Sequence, residues 1–394
     1  MNIRMIACFL VAGTLAGSVF AQGSLTPPGA PAPTMKTLTQ VEPRTAITNL
    51  PYAITRPGSY YLTASLTSAT HGVTIATNGV VLDLMGFTLN GGRTGSGQGV
   101  YLYEASGAPI RNVTVRNGSL RGFGYGIWAK FSQGSRFENL DVSRNLFTGI
   151  YLDGLGGVCD GNAIVHCALA SNGVNGVRLD GSSGQCSGNL ISDCSLLDNL
   201  NDGIACTAPS GRCNGNLIAD CTMGGNAEHG LTLSGSSGEC SGNLVLRCSV
   251  VGNVQYGIYC LAASSGQCSG NLISECTVNG NTSYGIVFSG TGGRVAGNAV
   301  VGCSVGENAG SGIGLYVAKG NRVEGNRIYD FAGGTRYGID CVSSTNNLIV
   351  CNSSGGQTYD YFMSSKDVYG PVVTDVGELA TNGVSAHPWA NFSR

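Results

Sequence analysis

The residues best suited to catalysis recur along the sequence at one spacing. Asp153 and Asp180 stand 27 positions apart, and Arg178 lies two residues before the second aspartate. If this spacing brings the two carboxylates together, they need a cation or a shifted pKa, which is the condition that an active site exploits. Asp153, Asp180 and Arg178 are therefore the candidate catalytic residues, and Ca²⁺ is the cation that the two carboxylates could bind.

Aromatic and polar residues follow the same spacing and suggest a binding surface. Trp128, Tyr151 and Tyr259 share one position of the repeat, while Asp202 and His229 come directly before glycines. Aromatic faces would stack on sugar rings, and Arg178 would pair with a uronate carboxylate. The other interpretation is an ordinary solvated sheet face with a few turn aspartates, and the residues alone leave both open.

A repeat of about 27 residues must position these side chains. The segment Cys186–Cys194, CSGNLISDC, recurs along the chain with its Gly-Asn pair in step. The repeated asparagines are Asn162, Asn189, Asn216, Asn243, Asn271 and Asn298. A fixed period in the twenties is typical of a solenoid, in which each repeat packs only on its neighbours.

Each repeat contains three short strand patterns separated by Asn or Gly. Two residues after each repeated asparagine comes Ile or Val, as in Ile164 and Ile191, which fits an inward strand position. Asparagine suits the corners because it tolerates left-handed backbone angles and because its amide can bond to the same amide one turn away. The sequence therefore predicts an all-β, right-handed parallel β-helix of about ten or eleven turns.

Cysteines form two further columns of the repeat. One column is Cys167, Cys194, Cys221, Cys248, Cys276 and Cys303, and it continues as Asn326 and Asn352. A bridge from Cys186 to Cys194 is excluded because an extended strand separates them by more than about 7 Å. Three interpretations stay open: stacked buried thiols, disulfides between adjacent turns (or Cys206 with Cys213), and a metal site, although an in-line stack lacks tetrahedral geometry.

The Gly-Asn-x-Ile and Gly-Ile-x-Leu units resemble the parallel β-helix repeats of the pectin-lyase-like superfamily. The Pro-rich leader and the Pro-Trp-Ala-Asn-Phe ending are similar to a group of secreted bacterial members without assigned function. The resemblance implies the fold and a substrate groove along one sheet face. It implies no activity, because the paired Asp-Asp, Gly-His-Gly and Arg-x-Lys motifs of polygalacturonases and the Arg- and Asp-rich cluster of calcium-dependent pectate lyases are missing.

The ends of the chain differ in composition from the repeat. Residues 1–21 are predicted to be a signal peptide cleaved after Ala21, which indicates a secreted, extracellular or periplasmic protein. Residues 22–44 form a Pro-rich linker. We expect an N-terminal cap at 45–71, the β-helix at 72–352, and a C-terminal cap and tail at 353–394.

Charge and composition limit the possible partners. Only 11% of the residues are charged and the net charge is −2, which gives no basis for binding nucleic acid or an anionic membrane. The apolar run of the leader is too short to predict a membrane span. The leading hypothesis is a secreted, non-catalytic scaffold that presents a face to polysaccharide, to a protein or to another cell-surface component, with no cofactor. The alternative is a polysaccharide lyase, hydrolase or epimerase.

Overall fold

The computed structural model describes residues 43–93, 95, 97–330, 337–374 and 386–393. The predicted signal peptide and almost all of the Pro-rich linker lie outside these residues. The regular elements of the described ranges are 44 short β-strands. No helix among the described residues is long and apolar enough to cross a membrane.

The strand bounds follow the repeat from the first turn to the last. The first fourteen are β1 (Thr45–Ile47), β2 (Tyr52–Ile54), β3 (Gly58–Leu62), β4 (Leu66–Thr67), β5 (Val73–Ile75), β6 (Val80–Asp83), β7 (Thr88–Asn90), β8 (Gln98–Leu102), β9 (Ile110–Arg111), β10 (Thr114–Arg121), β11 (Tyr125–Lys130), β12 (Ser132–Gln133), β13 (Arg136–Ser143) and β14 (Ile150–Asp153). The next sixteen are β15 (Ala163–Val165), β16 (Ala168–Ala170), β17 (Val177–Asp180), β18 (Leu190–Ser192), β19 (Ser195–Leu197), β20 (Ile204–Thr207), β21 (Leu217–Ala219), β22 (Thr222–Gly224), β23 (Leu231–Ser234), β24 (Leu244–Leu246), β25 (Ser249–Val251), β26 (Ile258–Leu261), β27 (Gln267–Ser269), β28 (Leu272–Ser274), β29 (Thr277–Asn279) and β30 (Ile286–Ser289). The last fourteen are β31 (Arg294–Ala296), β32 (Ala299–Val301), β33 (Ser304–Gly306), β34 (Ile313–Tyr316), β35 (Ala318–Lys319), β36 (Arg322–Glu324), β37 (Arg327–Tyr329), β38 (Tyr337–Val342), β39 (Leu348–Val350), β40 (Ser353–Gly355), β41 (Tyr359–Phe362), β42 (Val368–Tyr369), β43 (Val372–Val373) and β44 (Asn391–Ser393).

One sheet takes a single strand from each turn, and we name it the front sheet. Its thirteen strands are β2, β5, β8, β11, β14, β17, β20, β23, β26, β30, β34, β38 and β41. Each strand pairs in parallel with the strand of the next turn, so that Ile150 lies opposite Val177 and Val177 opposite Ile204. Most of the other strands join a sheet of 26 strands, while β9 pairs with β12, and β27, β31 and β35 form a small sheet of their own. Both the parallel β-helix and its period of about 27 residues are confirmed, and the eleven front-sheet strands from β5 to β38 span ten steps between turns.

The core is the space inside the coil. Inward residues such as Ile164, Ile191 and Ile218 are fully buried and lie in register on adjacent turns. A buried Ile side chain contributes roughly 1.5–3 kcal/mol relative to exposure, and the same contribution recurs at each turn. The coil is therefore stabilised locally, turn upon turn, as expected for a solenoid.

The repeated asparagines form a continuous hydrogen-bonded ladder inside the coil. Asn189 Oδ1 accepts from the backbone N–H of Asn162 at 2.9 Å and from its Nδ2 at 3.0 Å. Asn189 Nδ2 donates in turn to Asn216 Oδ1 at 3.0 Å and to the Cys159 carbonyl at 3.1 Å. The ladder is confirmed, and it satisfies polar groups that would otherwise be buried without partners.

One reason given for these asparagines is wrong. The ladder residues do not carry the left-handed backbone angles at the corners. Those angles belong to the preceding glycine, as at Gly188 with φ 62°, and to the residue four after the asparagine, as at Asp193 with φ 53°. Asparagine is therefore required because its side-chain amide can accept from one turn and donate to the next, and not because it tolerates left-handed backbone angles.

The cysteine columns are stacks of buried thiols. None of the fifteen cysteines among the described residues forms a disulfide, and fourteen of them are buried. Burial raises the pKa of the Cys186 and Cys260 thiols well above the ordinary value, so both stay protonated. Where the column turns to asparagine, the Cys303 N–H donates to Asn326 Oδ1 at 2.9 Å, so the amide continues the inward corner.

The two ends of the described chain continue the parallel pairing. Strand β1 pairs with β3 and β2 with β5, so residues 45–71 are already wound in register with the following turns. At the other end, β44 pairs with β40 and β43. The Tyr361 hydroxyl lies 2.9 Å from the carbonyls of Asn352 and Phe392, which ties these last strands together.

Candidate functional site

The residues singled out by the repeat lie on the outer face of the front sheet. Trp128, Tyr151 and Arg178 occupy the same outward position on β11, β14 and β17 and are direct neighbours in register. Asp153 and Asp180 lie opposite each other at the ends of β14 and β17. The structure thus brings together the five residues that were expected on neighbouring turns.

Hydrogen bonds from protein groups already occupy Asp153. The residue is only 2% exposed. The Trp128 indole donates from Nε1 to Oδ2 at 3.0 Å, and the Leu155 backbone N–H donates to Oδ1 at 2.9 Å. These two donors hold the carboxylate in place at the N–H edge of the indole ring. A carboxylate in this setting orients an aromatic side chain.

Asp180 is bonded even more completely. Its Oδ2 accepts from the Tyr151 hydroxyl at 3.0 Å and from Arg178 Nη2 at 2.8 Å, and its Oδ1 accepts from the Ser182 backbone N–H at 2.9 Å. The Arg178 guanidinium also lies 5.6 Å from the centroid of the Tyr151 ring. The charge of Arg178 is therefore balanced within the protein, which leaves it poorly placed to bind a uronate.

Six aromatic side chains form a first aromatic cluster around this group. Its members are Tyr101, Tyr103, Tyr125, Trp128, Phe147 and Tyr151. Neighbouring ring centroids lie 5.0–5.7 Å apart, and the Tyr101 and Tyr103 rings are parallel to within 2°. Burial, followed by the charges of Asp153 and Asp180, raises the pKa of Tyr151, which keeps its hydroxyl as a donor.

Sequence reasoning missed most of this cluster. Tyr101 stands 27 residues before Trp128 and lies opposite it in register, so the repeat could have found it. Tyr125 directly precedes a glycine, the position that had been identified for Asp202 and His229. Tyr103 and Phe147 also follow the repeat: Tyr103 stands 27 residues before Lys130, which pairs with Asp153, and Phe147 stands two residues before a glycine, as Glu228 does.

A second aromatic cluster lies farther along the same face. Its members are His229, Tyr256, Tyr259, Tyr284 and Tyr316. The rings of His229 and Tyr256 are stacked, with centroids 5.0 Å apart and an interplanar angle of 4°. Tyr259 lies 4.8 Å from Tyr256. The predicted residues His229 and Tyr259 thus belong to one group of rings, distinct from the one around Trp128.

Asp202 and His229 also have a structural role at the edge of the front sheet. The Asp202 backbone N–H donates to Asn175 Oδ1 at 3.1 Å, and the His229 N–H donates to Asp202 Oδ1 at 3.0 Å. The Tyr256 N–H then donates to His229 Nδ1 at 3.2 Å. Each side chain caps the backbone of the next turn, so the two residues form part of a third ladder.

The charge states of Asp202 and His229 are shifted towards neutrality. Burial raises the pKa of Asp202 to about 6, against weaker opposing hydrogen bonds. Burial lowers the pKa of His229 to about 4, so the imidazole is neutral at pH 7. Glu228 lies beside them, and one ligand atom from each of the three side chains lies within 4.8 Å of the other two. Asp202 and Glu228 thus form an acidic pair whose carboxylate oxygens accept few hydrogen bonds from the protein.

Comparison with known proteins places the chain in a family. Residues 72–268 and 264–366 match the family described as "Periplasmic copper-binding protein (NosD)", which covers more than half of the sequence. The chain belongs to the NosD family. The family description is consistent with the expected export. No curated protein matches the chain.

Solved structures confirm the expected pectin-lyase-like fold of this NosD-family chain. The A-module of mannuronan C-5 epimerase AlgE4 from Azotobacter vinelandii superposes with a TM-score of 0.56 at 15% identity, over 80% of this chain and 91% of that one. The catalytic domain of a GH87 α-1,3-glucanase in complex with nigerose gives 0.54 at 16% identity, over 78% and 63%. At such identities the likeness establishes the fold alone.

Proposed function

We propose that the protein is an exported, non-catalytic β-helix that binds a polysaccharide chain along the outer face of the front sheet. The observation that carries the proposal is the run of aromatic rings on this face. The first aromatic cluster lies on the turns of β8, β11 and β14, and the second lies on the turns of β23, β26, β30 and β34 of the same sheet. Adjacent turns are about 4.8 Å apart, and the turns of β17 and β20 separate the two clusters. A glycan lying along the coil would meet rings at both clusters.

The rings have the properties of a saccharide platform. Tyr101, Trp128, Tyr151 and Tyr259 are all half-buried, so each keeps one surface available while its position is fixed by packing. Rings held in this way lose little conformational freedom when a ligand stacks on them. Hydroxyl and indole groups at their edges can hydrogen-bond to sugar hydroxyls.

The state of the carboxylates supports binding over catalysis. Glycoside hydrolysis requires two carboxyl groups that are free to exchange protons and attack the substrate. Asp153 and Asp180 instead accept hydrogen bonds from Trp128, Tyr151 and Arg178. We therefore assign them to positioning the rings. Because Arg178 is paired and the face carries several acids, the ligand is proposed to be a neutral glycan.

One observation favours the enzymatic alternative. Burial raises the pKa of Asp202 to about 6, and Asp202 lies beside Glu228; a carboxyl group with a raised pKa next to a second carboxylate is an arrangement that glycosidases use. The epimerase and glucanase that share the fold act on polysaccharides by name. A lyase, hydrolase or epimerase centred on Asp202 and Glu228 is therefore the second candidate.

Affinity electrophoresis and product analysis together test these two functions. The full-length protein is run through gels containing a neutral α- or β-glucan or alginate, and it is also incubated with each polymer. We expect retardation by a neutral glucan without product, and a loss of affinity of at least about tenfold in Trp128→Ala. Trp389→Ala, at the far end of the coil, is the matched control. Shortened or epimerised products that disappear in Asp202→Asn would establish the enzyme instead.

The family description also raises copper as a ligand, and the described residues fit it poorly. Asp202, Glu228 and His229 are the one convergent group of three potential ligands in the described part of the chain. Two of these donate oxygen, and His229 Nδ1 already accepts from the Tyr256 N–H, so Nε2 carries the proton of the neutral ring. The thiols that would suit Cu(I) stack in line and are sealed inside the coil.

A further inference from the structure

Asp202 and Glu228 place two carboxylates together without an obvious counter-charge. Asp202 is 6% exposed and Glu228 is half-buried, and they come from adjacent turns of the coil. Within the described residues, no hydrogen bond or ion pair joins the side chains of Asp202, Glu228 and His229. The Arg178 guanidinium, whose charge acts weakly on Asp202, is already paired with Asp180. Burying two acids in this way is unfavourable unless a proton or a cation accompanies them.

A separate observation points to a ligand at the same place. Thr232, on the strand that follows Glu228, is 8% exposed, and its Oγ1 has no hydrogen-bond partner. This hydroxyl approaches Asp202 closely enough to affect its carboxyl, although not in the geometry of a well-formed hydrogen bond. A buried hydroxyl without a partner costs roughly 1–3 kcal/mol, so native proteins usually satisfy it.

The chemistry of these donors identifies the ligand class. Carboxylate and hydroxyl oxygens are the donors preferred by hard divalent cations, and Ca²⁺ binds oxygens at about 2.3–2.6 Å. Two such distances span roughly 5 Å, which covers the oxygens of Asp202 and Glu228, since these lie within 4.8 Å of each other. A neutral His229 adds no repulsion. We propose that Asp202, Glu228 and Thr232 form an oxygen-donor site for a divalent cation of the calcium class, lying between the two aromatic clusters.

Such a site would connect two turns of the coil. Asp202 belongs to the turn of β20, while Glu228 and Thr232 belong to the turn of β23. A cation shared between them acts as an additional cross-link that exists only in the folded state. Binding therefore raises the free energy of unfolding in proportion to the logarithm of the free cation concentration. This inference is independent of saccharide binding.

Calorimetric titration of the chelator-treated, full-length protein with CaCl₂ tests the site. We expect a dissociation constant on the order of 10⁻⁴–10⁻³ M, as in extracellular calcium modules, and a rise in melting temperature with added calcium. Glu228→Gln should weaken binding at least about tenfold, since it removes a charge from the site. It should still fold, because the Glu228 side chain makes no hydrogen bond within the described residues.

Two further variants and one control make the outcome decisive. Asp202→Asn should also weaken calcium binding while keeping the acceptor for the His229 N–H, as Asn175 does one turn earlier. Trp128→Ala should still bind calcium even if it no longer binds glycan. Glu275 is an exposed acid on another face, so Glu275→Gln should have the calcium affinity of the wild-type protein. Absence of calcium binding, or equal binding by Glu228→Gln, would overturn the proposal. The proposal would also be overturned if copper(II) displaced calcium from the site and copper binding required His229.

Discussion

Asp180 and Asp202 are buried aspartates on adjacent turns of the same face, yet their surroundings are opposite. Asp180 receives hydrogen bonds from a guanidinium, a phenol and the backbone. Asp202 accepts one backbone hydrogen bond and has a second acid as its neighbour. A buried charge that is paired locally becomes part of the architecture, whereas one without a counter-charge is available to a ligand.

The largest expected effect comes from making the same substitution at both positions. Asp180→Asn should lower the free energy of unfolding by about 3 kcal/mol, because it leaves the half-buried Arg178 without its partner. In calcium-free buffer, Asp202→Asn should raise the free energy of unfolding by about 1 kcal/mol, because it removes an unpaired buried charge. Urea unfolding of the two variants measures the difference, and equal losses would remove the distinction between the two aspartates.

The pH dependence of stability should separate Asp202 from His229. The folded-state pKa of Asp202 is raised to about 6 from an ordinary 3.8, so its contribution to stability falls as pH rises from about 4 to 6. The folded-state pKa of His229 is lowered to about 4 from 6.5, so its contribution increases between about pH 4 and 6.5. The two trends oppose each other in the wild-type protein.

Single variants should reveal these opposing trends. With chelator present, Asp202→Asn should become more stable from pH 4 to 6.5, and His229→Gln should become less stable from pH 4 to 6. Each change should amount to about 2 kcal/mol at most, after allowance for partial solvent exposure. Chemical unfolding at several pH values measures both slopes. Parallel slopes in the two variants would show that the residues do not titrate as described.

The buried cysteines provide a third test, because thiols inside the coil should be inaccessible to reagents in solution. In the folded protein about one thiol should react with a thiol reagent, namely that of the half-exposed Cys351. After unfolding without reduction, the fifteen cysteines beyond the predicted cleavage site should all react. Fewer than about five reactive thiols in the unfolded protein would instead indicate disulfides between turns.

Much of the fold was predictable because a solenoid repeats its inner positions. The column of Ile164, Ile191 and Ile218 and the asparagine ladder follow directly from a spacing that any reader of the sequence can count. The reason for the asparagines was not predictable in full. Backbone angles at the corners are divided among neighbouring residues, and Gly188 takes the conformation that had been assigned to Asn189.

The site was predictable in position but not in chemistry. The period places Tyr151 beside Arg178, and it also aligns Asp153 with Asp180. It does not indicate that the Trp128 indole reaches Asp153, 25 residues away, because that contact depends on side-chain conformation. Periodicity therefore found the face on which function is proposed, whereas the availability of each carboxylate required the structure.

The central claim is that the rings around Trp128 bind glycan, and single-tryptophan fluorescence tests it most directly. The chain has two tryptophans, so Trp389→Phe leaves Trp128 as the only indole. Titration of this variant with a neutral oligosaccharide should shift its emission in a saturable manner, because a sugar stacked on the ring excludes water. The reciprocal variant Trp128→Phe should show no shift. Unchanged Trp128 emission at saturating oligosaccharide, or an equal shift at Trp389, would contradict the account.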